Sequence, residues 1–210
     1  MMRIRIKFAK TEEMRYIGHL DLFRAWERTF RRSGLPLAYS LGFHPGPRLN
    51  LACALPVGFT SDFEIIDAWL ECTLPLPDIR KNVMGALPPG LSILDIGEVT
   101  TTEPALQTQV ISAGYVITFL DEIPDLNERV QRVQSSDQLL RKRRGKTYDL
   151  RPLIEDLHVL PPSEQGNLNL WVQLAAREGA TGRPEELLIE LGVNFENTRV
   201  LREKLILSTD

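Results

Sequence analysis

The sequence predicts an α+β fold with antiparallel sheets, and two observations predict it. Segments of strict polar–apolar alternation interleave with segments of helical periodicity, in the order strand, helix, strand, strand, helix, strand, over the first half of the chain. After a polar, threonine-rich stretch at 100–112 the same order restarts. Two tandem ferredoxin-like (βαββαβ) halves account for both. Residues 1–103 form the basic N-terminal half, 104–111 the linker and 112–210 the C-terminal half. Element order alone carries the duplication, because no sequence identity links the halves, and a single α+β domain is the alternative.

Arg3–Ala9 alternates, with Ile4, Ile6 and Phe8 on one side and Arg3, Arg5 and Lys7 on the other, which makes a half-buried strand. A helix follows from His19 to Ser33, its inner side marked by Leu20, Phe23, Trp26, Glu27 and Phe30. Gly34 caps it and Pro36 prevents its continuation. A Pro- and Gly-punctuated connection, Leu35 to Arg48, leads to two strands, Leu49–Val57 and Phe63–Cys72. With the tip at Thr60-Ser61, Leu49, Leu51, Cys53 and Leu55 share an apolar face with Ile66, Ala68, Leu70 and Cys72. Cys53 then faces Ala68, and no disulfide is expected. A helix over Pro77–Leu87 and a strand over Leu91–Val99 complete the half.

In the second half, Tyr115–Leu120 reads as a strand and Asp125–Ser135 as a helix with Leu126, Val130 and Val133 inward. Leu139–Tyr148 reads as a ribbon turned at Gly145, and Asp149–Leu157 as a short helix. Leu168–Ala176 is a strand, Arg183–Leu191 a helix with Pro184 in its first turn, and Val200–Leu207 the last strand.

Composition excludes several classes. With 43% apolar and 25% charged residues the chain is globular rather than disordered or collagen-like. Its apolar runs are too short to span a bilayer, and the start lacks the apolar stretch of a signal peptide, so a cytoplasmic protein is expected. Two cysteines, Cys53 and Cys72, suit a reduced compartment and are too few to ligate an iron–sulfur cluster. The net charge of −3 conceals an asymmetry: residues 1–50 carry ten Lys/Arg against four acids. A second basic run is Arg141-Lys142-Arg143-Arg144-Gly145-Lys146. Local positive potential of this kind attracts phosphates or an acidic partner. The bland alternative is a solvated surface balanced by neighbouring acids.

Arg24, Arg28, Arg31 and Arg32 on the first helix, His44 and Arg48 in the Pro-rich loop, and Arg141, Lys142, Arg143 and Arg144 are therefore the candidate anion- or RNA-binding residues. If the first and third strands are neighbours, their helix-free face presents Arg3, Arg5 and Lys7 beside Phe63, Ile65 and Trp69. That combination suits single-stranded RNA, although Asp67 and Glu71 on the same face oppose it. His19 and Asp21 form a candidate functional loop at the start of the helix. Asp21 is explained as well by the helix dipole, and His19 and His44 lack the third His or Cys that a metal site needs, so no metal is expected. A histidine-assisted RNA cleavage site would need only His19 or His44 beside a phosphate. The chain carries no Walker loop, dinucleotide fingerprint, nucleophile elbow or zincin motif.

Phe8-Ala9-Lys10-Thr11 with Met14-Arg15-Tyr16-Ile17-Gly18-His19-Leu20-Asp21-Leu22 resembles the start of a bacterial domain family of unknown function, the radical-SAM-linked domain. Gly34–Ser40, Gly42–Leu49, Ala54–Gly58 and Tyr148–Ile154 are similar to the same family, so the resemblance covers nearly the whole chain. Family members commonly have Ser where this chain has Gly18. The resemblance implies association with a radical-SAM protein, fused or encoded alongside, and a setting of ribonuclease and ribosomal-protein genes. It brings no catalytic residues. The chain has no Cys-x-x-x-Cys-x-x-Cys, so an iron–sulfur cluster and S-adenosylmethionine are expected only on the partner. The expectation is a module, non-catalytic on its own, that accompanies a radical-SAM enzyme and presents RNA or a ribosome-related substrate. A small histidine-dependent RNA-processing enzyme and a purely protein-binding module are the alternatives.

Overall fold

The computed structural model describes residues 1–143 and 145–208. The chain divides into two compact units, Met1–Gln109 and Val110–Asp210. The protein is mixed α/β, with mostly antiparallel sheet and five helices among the described residues.

The first unit is organised by β1 (Met2–Lys10), whose alternation buries Met2, Ile4, Ile6 and Phe8 on one side. α1 (His19–Arg32) lays Leu22, Trp26 and Phe30 on that side at i, i+4 and i+8. Trp26 meets Phe8 edge to face with ring centroids 4.8 Å apart. Each such buried side chain contributes roughly 1.5–3 kcal/mol. The buried stripe differs from the expected one: Leu22 lies inside while Leu20 is 72% exposed. Gly18 is the N-cap of α1 and supplies no side-chain cap. A Cβ there would meet Val57 Cγ2 at 3.2 Å.

β2 is shorter than expected, Leu49–Leu51, and β3 is longer, Phe59–Leu70. Leu49 faces Ala68 and Leu51 faces Ile66. The register is thus four residues from the expected one, in which Cys53 faced Ala68. The shift is even, so the same apolar side chains stay inward. Its cause lies in 52–58. Pro56 has no N–H for a ladder, and Gly58 turns at φ +90°. The polar Thr60-Ser61-Asp62, expected as a turn, is strand because buried Phe59 anchors it and Ser61 pairs with Lys10. Cys53 and Cys72 are both free thiols.

α2 (Leu76–Ala86) adds Ile79 and Val83 to the core, and β4 (Leu91–Val99) spans the expected residues. The sheet order is β2-β3-β1-β4, antiparallel throughout. The stretch expected as linker holds a single helical turn, α3 (Leu106–Gln109), with Leu106 buried, and the first residues of β5.

In the second unit, β5 (Val110–Phe119) starts five residues before the expected Tyr115. α4 (Leu126–Ser135) buries Leu126, Val130 and Val133. β6 (Leu140–Arg143) and β7 (Lys146–Asp149) form the expected ribbon around Gly145, whose φ is +79°. The helix expected over Asp149–Leu157 is not there. Arg151–Leu153 make one 3-10 turn, and β8 (Ile154–Leu160) follows as a strand paired with β9 (Asn169–Arg177). A bulge between Ile154 and Asp156 brings Ile154 and Leu157 to the buried side three positions apart, a spacing that imitates a helix. β10 (Ala180–Thr181), α5 (Pro184–Glu190) and β11 (Thr198–Leu207) complete the unit. Its strands run β8-β9-β5-β11, all antiparallel, with β10 also on β9. Among the described residues, no helix is long and apolar enough to cross a membrane.

Candidate anion-binding surfaces

In the first unit β1 and β3 set Arg3 opposite Trp69, Arg5 opposite Asp67 and Lys7 opposite Ile65, the juxtaposition expected from neighbouring first and third strands. These arginines are not a phosphate platform, however. Asp67, fully buried, accepts from Arg3 Nη2 at 2.6 Å and from Arg5 Nε at 2.8 Å. Arg3 spends its remaining donors on the carbonyls of Glu103 and Pro104. The hydrogen bond that Arg5 donates to Asp67, outweighing the cost of burial, pushes the Arg5 guanidinium above its already high pKa. Asp67, with Glu103 3.6 Å from Arg5, thus consumes the positive charge that was expected to meet phosphate. Lys7 lies near Asp95, 3.4 Å away at the surface.

Arg48 remains accessible, with its guanidinium 4.9 Å from the Trp69 ring centre while Arg3 lies 5.0 Å from it. It sits at the base of a hairpin held by Arg48 N–H donating to Ala38 and Ser40 N–H donating to Gly46, both at 2.8 Å. At the tip, Leu41, Phe43 and His44 project fully into solvent.

The outer side of α1 is different. Arg24, Arg28 and Arg32 recur every four residues, about 6 Å apart along the axis, and line one groove of about 420 Å³ with Asp21 and Pro88. Arg24 touches Asp21 at 3.1 Å in an exposed i,i+3 pair of little energetic weight. Arg28 has no ion pair among the described residues. Arg32 donates to the Ala86 carbonyl at 2.9 Å and extends into an adjoining hollow with Lys81 and Asn82. Lys81 was missed from the sequence; its signal is its place on α2, beside the end of α1. Arg31 is exposed and lines neither hollow, and Arg48 lies on the separate hairpin. His19 opens α1, half-buried, with Asp21 committed to Arg24. Among the described residues no three His, Cys, Asp or Glu side chains gather in metal-ligating reach.

In the second unit the basic run splits. Arg141 is bound by Glu190 and lies 3.7 Å from Glu186, so its charge is consumed within the protein. Lys142 is exposed on the opposite face of the ribbon. Arg143 lines a cavity of about 520 Å³ with Lys146, Tyr148 and Arg183. Arg144 lies outside the described residues.

The class defined by these features is a mixed α/β protein of two antiparallel units, with Arg24, Arg28 and Arg32 lining one groove of the first and Arg143, Lys146 and Arg183 one cavity of the second. The chain belongs to the family described as "Uncharacterized protein conserved in bacteria (DUF2344)", whose profile matches residues 3–184. No curated protein matches the chain. It is similar in fold to a chain in the crystal structure of a Cbf5-Nop10-Gar1 complex, with a TM-score of 0.50 and 10% identity over 96% of this chain and 48% of that one. A chain in the archaeal box H/ACA sRNP Nop10-Cbf5 complex aligns with a TM-score of 0.46 and 10% identity, over 97% of this chain and 48% of that one. The protein therefore spans about half the length of the chains it matches. At that identity the likeness is one of fold.

Proposed function

We propose that the chain is an accessory or substrate-presenting module of a radical-SAM enzyme in the bacterial cytoplasm, built on two ferredoxin-like halves and holding RNA or a ribosome-related substrate. The iron–sulfur cluster and S-adenosylmethionine belong to the partner. The strand orders β2-β3-β1-β4 and β8-β9-β5-β11, with α1 between β1 and β2, α2 between β3 and β4, α4 between β5 and β8, and α5 between β9 and β11, support the two halves.

The observation that carries the RNA clause is the row Arg24, Arg28 and Arg32 in one open groove, continued by Lys81 and opposed by a single acid, Asp21. A line of guanidinium groups on a solvent-open helix can pair with successive phosphates and displace their counterions. Filter binding of bulk tRNA and rRNA over a salt series tests it: retention at low salt that falls steeply as salt rises is expected. No retention at low salt removes the clause.

The radical-SAM clause rests on the family resemblance of the Tyr16–Leu22, Gly42–Leu49 and Ala54–Gly58 motifs. One observation also favours a purely protein-binding reading: Leu41 and Phe43 stand fully exposed on the hairpin tip, where they contribute nothing to this chain's core. Co-purification of the radical-SAM protein that survives nuclease treatment would favour protein contact over an RNA bridge.

A further inference from the structure

The cavity of the second unit is not used by that reading. In the β6–β7 ribbon Arg143 stands directly opposite Lys146, and Arg141 opposite Tyr148. Like charges directly opposed across two strands destabilise the pairing. Here both turn toward one cavity, which Arg183 enters from the N-cap position of α5. Among the described residues none of Arg143, Lys146 and Arg183 has an ion pair. The one acid of the wall is Asp149, whose Oδ1 is taken by the N–H groups of Leu139 at 2.8 Å and Arg151 at 3.0 Å. Three cations therefore converge on one cavity whose wall carries the single acid Asp149, and none of the three has an ion pair among the described residues.

The rest of the wall suits an organic ligand rather than a bare ion. Tyr148 and Leu153 give it an aromatic and an aliphatic surface. At about 520 Å³ the cavity has the size of a small-molecule site. Burial, with Glu186 nearby, pushes the Tyr148 phenol up, so it remains a neutral hydroxyl against the pull of the surrounding arginines. Tyr148, Asp149 and Leu153 of the wall belong to the motif Tyr148–Ile154, which is anchored by fully buried Leu150 and by Arg151 donating to the carbonyls of Gln134 at 3.0 Å and Ile154 at 3.3 Å.

We propose that this cavity binds a phosphate monoester of up to mononucleotide size, its phosphate held by Arg143, Lys146 and Arg183 and its organic part against Tyr148 and Leu153. The monoester is either a free nucleotide or the 5′-phosphate of an RNA end. Calorimetric titration of the full chain with AMP, adenosine, and a short oligoribonucleotide with and without its 5′-phosphate distinguishes the two sources. At least one phosphorylated probe should bind saturably, and about tenfold or more tightly than its unphosphorylated counterpart, the scale of one charge-assisted contact. Arg183→Gln and Arg143→Gln should each weaken that binding about tenfold. Lys142→Gln removes the same charge from the opposite face of the same ribbon and should leave it unchanged. Arg183→Lys, which keeps the charge, should retain part of the affinity. The proposal is overturned if neither phosphorylated probe outbinds its counterpart, or if Lys142→Gln weakens binding as much as Arg183→Gln. Loss of tRNA retention on substituting Arg28 and Arg32, with AMP binding intact, would separate this site from the groove of α1.

Discussion

Asp67 holds Arg3 in a forked contact: one carboxylate oxygen accepts from Arg3 Nη2 at 2.6 Å and from Arg3 Nε at 3.0 Å, with both side chains shut off from solvent. The other oxygen takes Arg5 Nε at 2.8 Å. A face that reads as cationic in sequence is thus an internally neutralised clamp that ties β1 to β3 and to the carbonyls of Glu103 and Pro104. Removing the acid would leave the fully buried Arg3 guanidinium without its counter-charge and Arg5 with Glu103 alone, 3.6 Å away. Breaking such a pair from one side costs about 3–5 kcal/mol. Asp67→Ala is expected to lose that much in urea denaturation, and Asp67→Asn less, since an amide oxygen still accepts. A loss under about 1 kcal/mol for the alanine variant would mean that the clamp carries little of the unit's stability.

The groove of α1 makes a quantitative expectation. Each guanidinium paired with a single-stranded phosphate adds about 0.7 to the slope of log affinity against log salt. Arg28→Gln and Arg32→Gln together should lower that slope by about 1.4 and weaken RNA retention across all sequences alike. Arg31→Gln, on the same helix but outside the groove, should leave the slope unchanged. Equal effects from Arg31 and Arg28 would show that net charge, not the groove, holds RNA.

Leu41 and Phe43 separate stability from recognition. Both are fully exposed, so replacing them with Ser removes no buried contact and should shift stability by less than about 0.5 kcal/mol. The same double substitution is expected to abolish co-purification of the proposed radical-SAM partner. Retained co-purification would place the docking surface elsewhere.

How much of this was legible depended on whether the physical signal was local. The alternation of Arg3–Ala9 and the Gly34 stop of α1 are local, and both appear where the sequence puts them. β8 was not legible because its bulge spaces Ile154 and Leu157 as a helix would. The register of β2 was hidden because Leu, Ala and Ile patterns match equally well when slipped by an even number of residues. For the sites, the four-residue recurrence on α1 is a helical period and could be read directly. The neutralisation of Arg3 by Asp67 and of Arg141 by Glu190 joins residues far apart in sequence, and only the fold reveals it. The convergence of Arg143 and Lys146 was readable in part, because a ribbon turned at Gly145 sets them opposite one another. Arg183 joins them only through tertiary structure.

Glu155 gives the second unit a defined pH response. Burial alone would push its pKa up, but hydrogen bonds from Gln173 at 3.0 Å and from the Ser112 hydroxyl, with Arg177 at 3.3 Å, outweigh burial and hold it below the ordinary carboxylate value. A carboxylate whose pKa is lower folded than unfolded stabilises the fold above its unfolded pKa, here near 4.5. That contribution disappears as pH falls through the lower folded value, because the unfolded chain then binds the proton first. Glu155→Gln removes the titration while keeping a side chain that can still accept from Ser112. Thermal melting followed from about pH 6 down to about pH 3 should therefore fall less steeply in the variant than in the parent chain. At neutral pH the variant should melt lower, since the charged contact to Arg177 is lost while the parent retains it. Parallel acid limbs in the two proteins would show that the three donors around Glu155 do not discriminate between its charged and neutral forms.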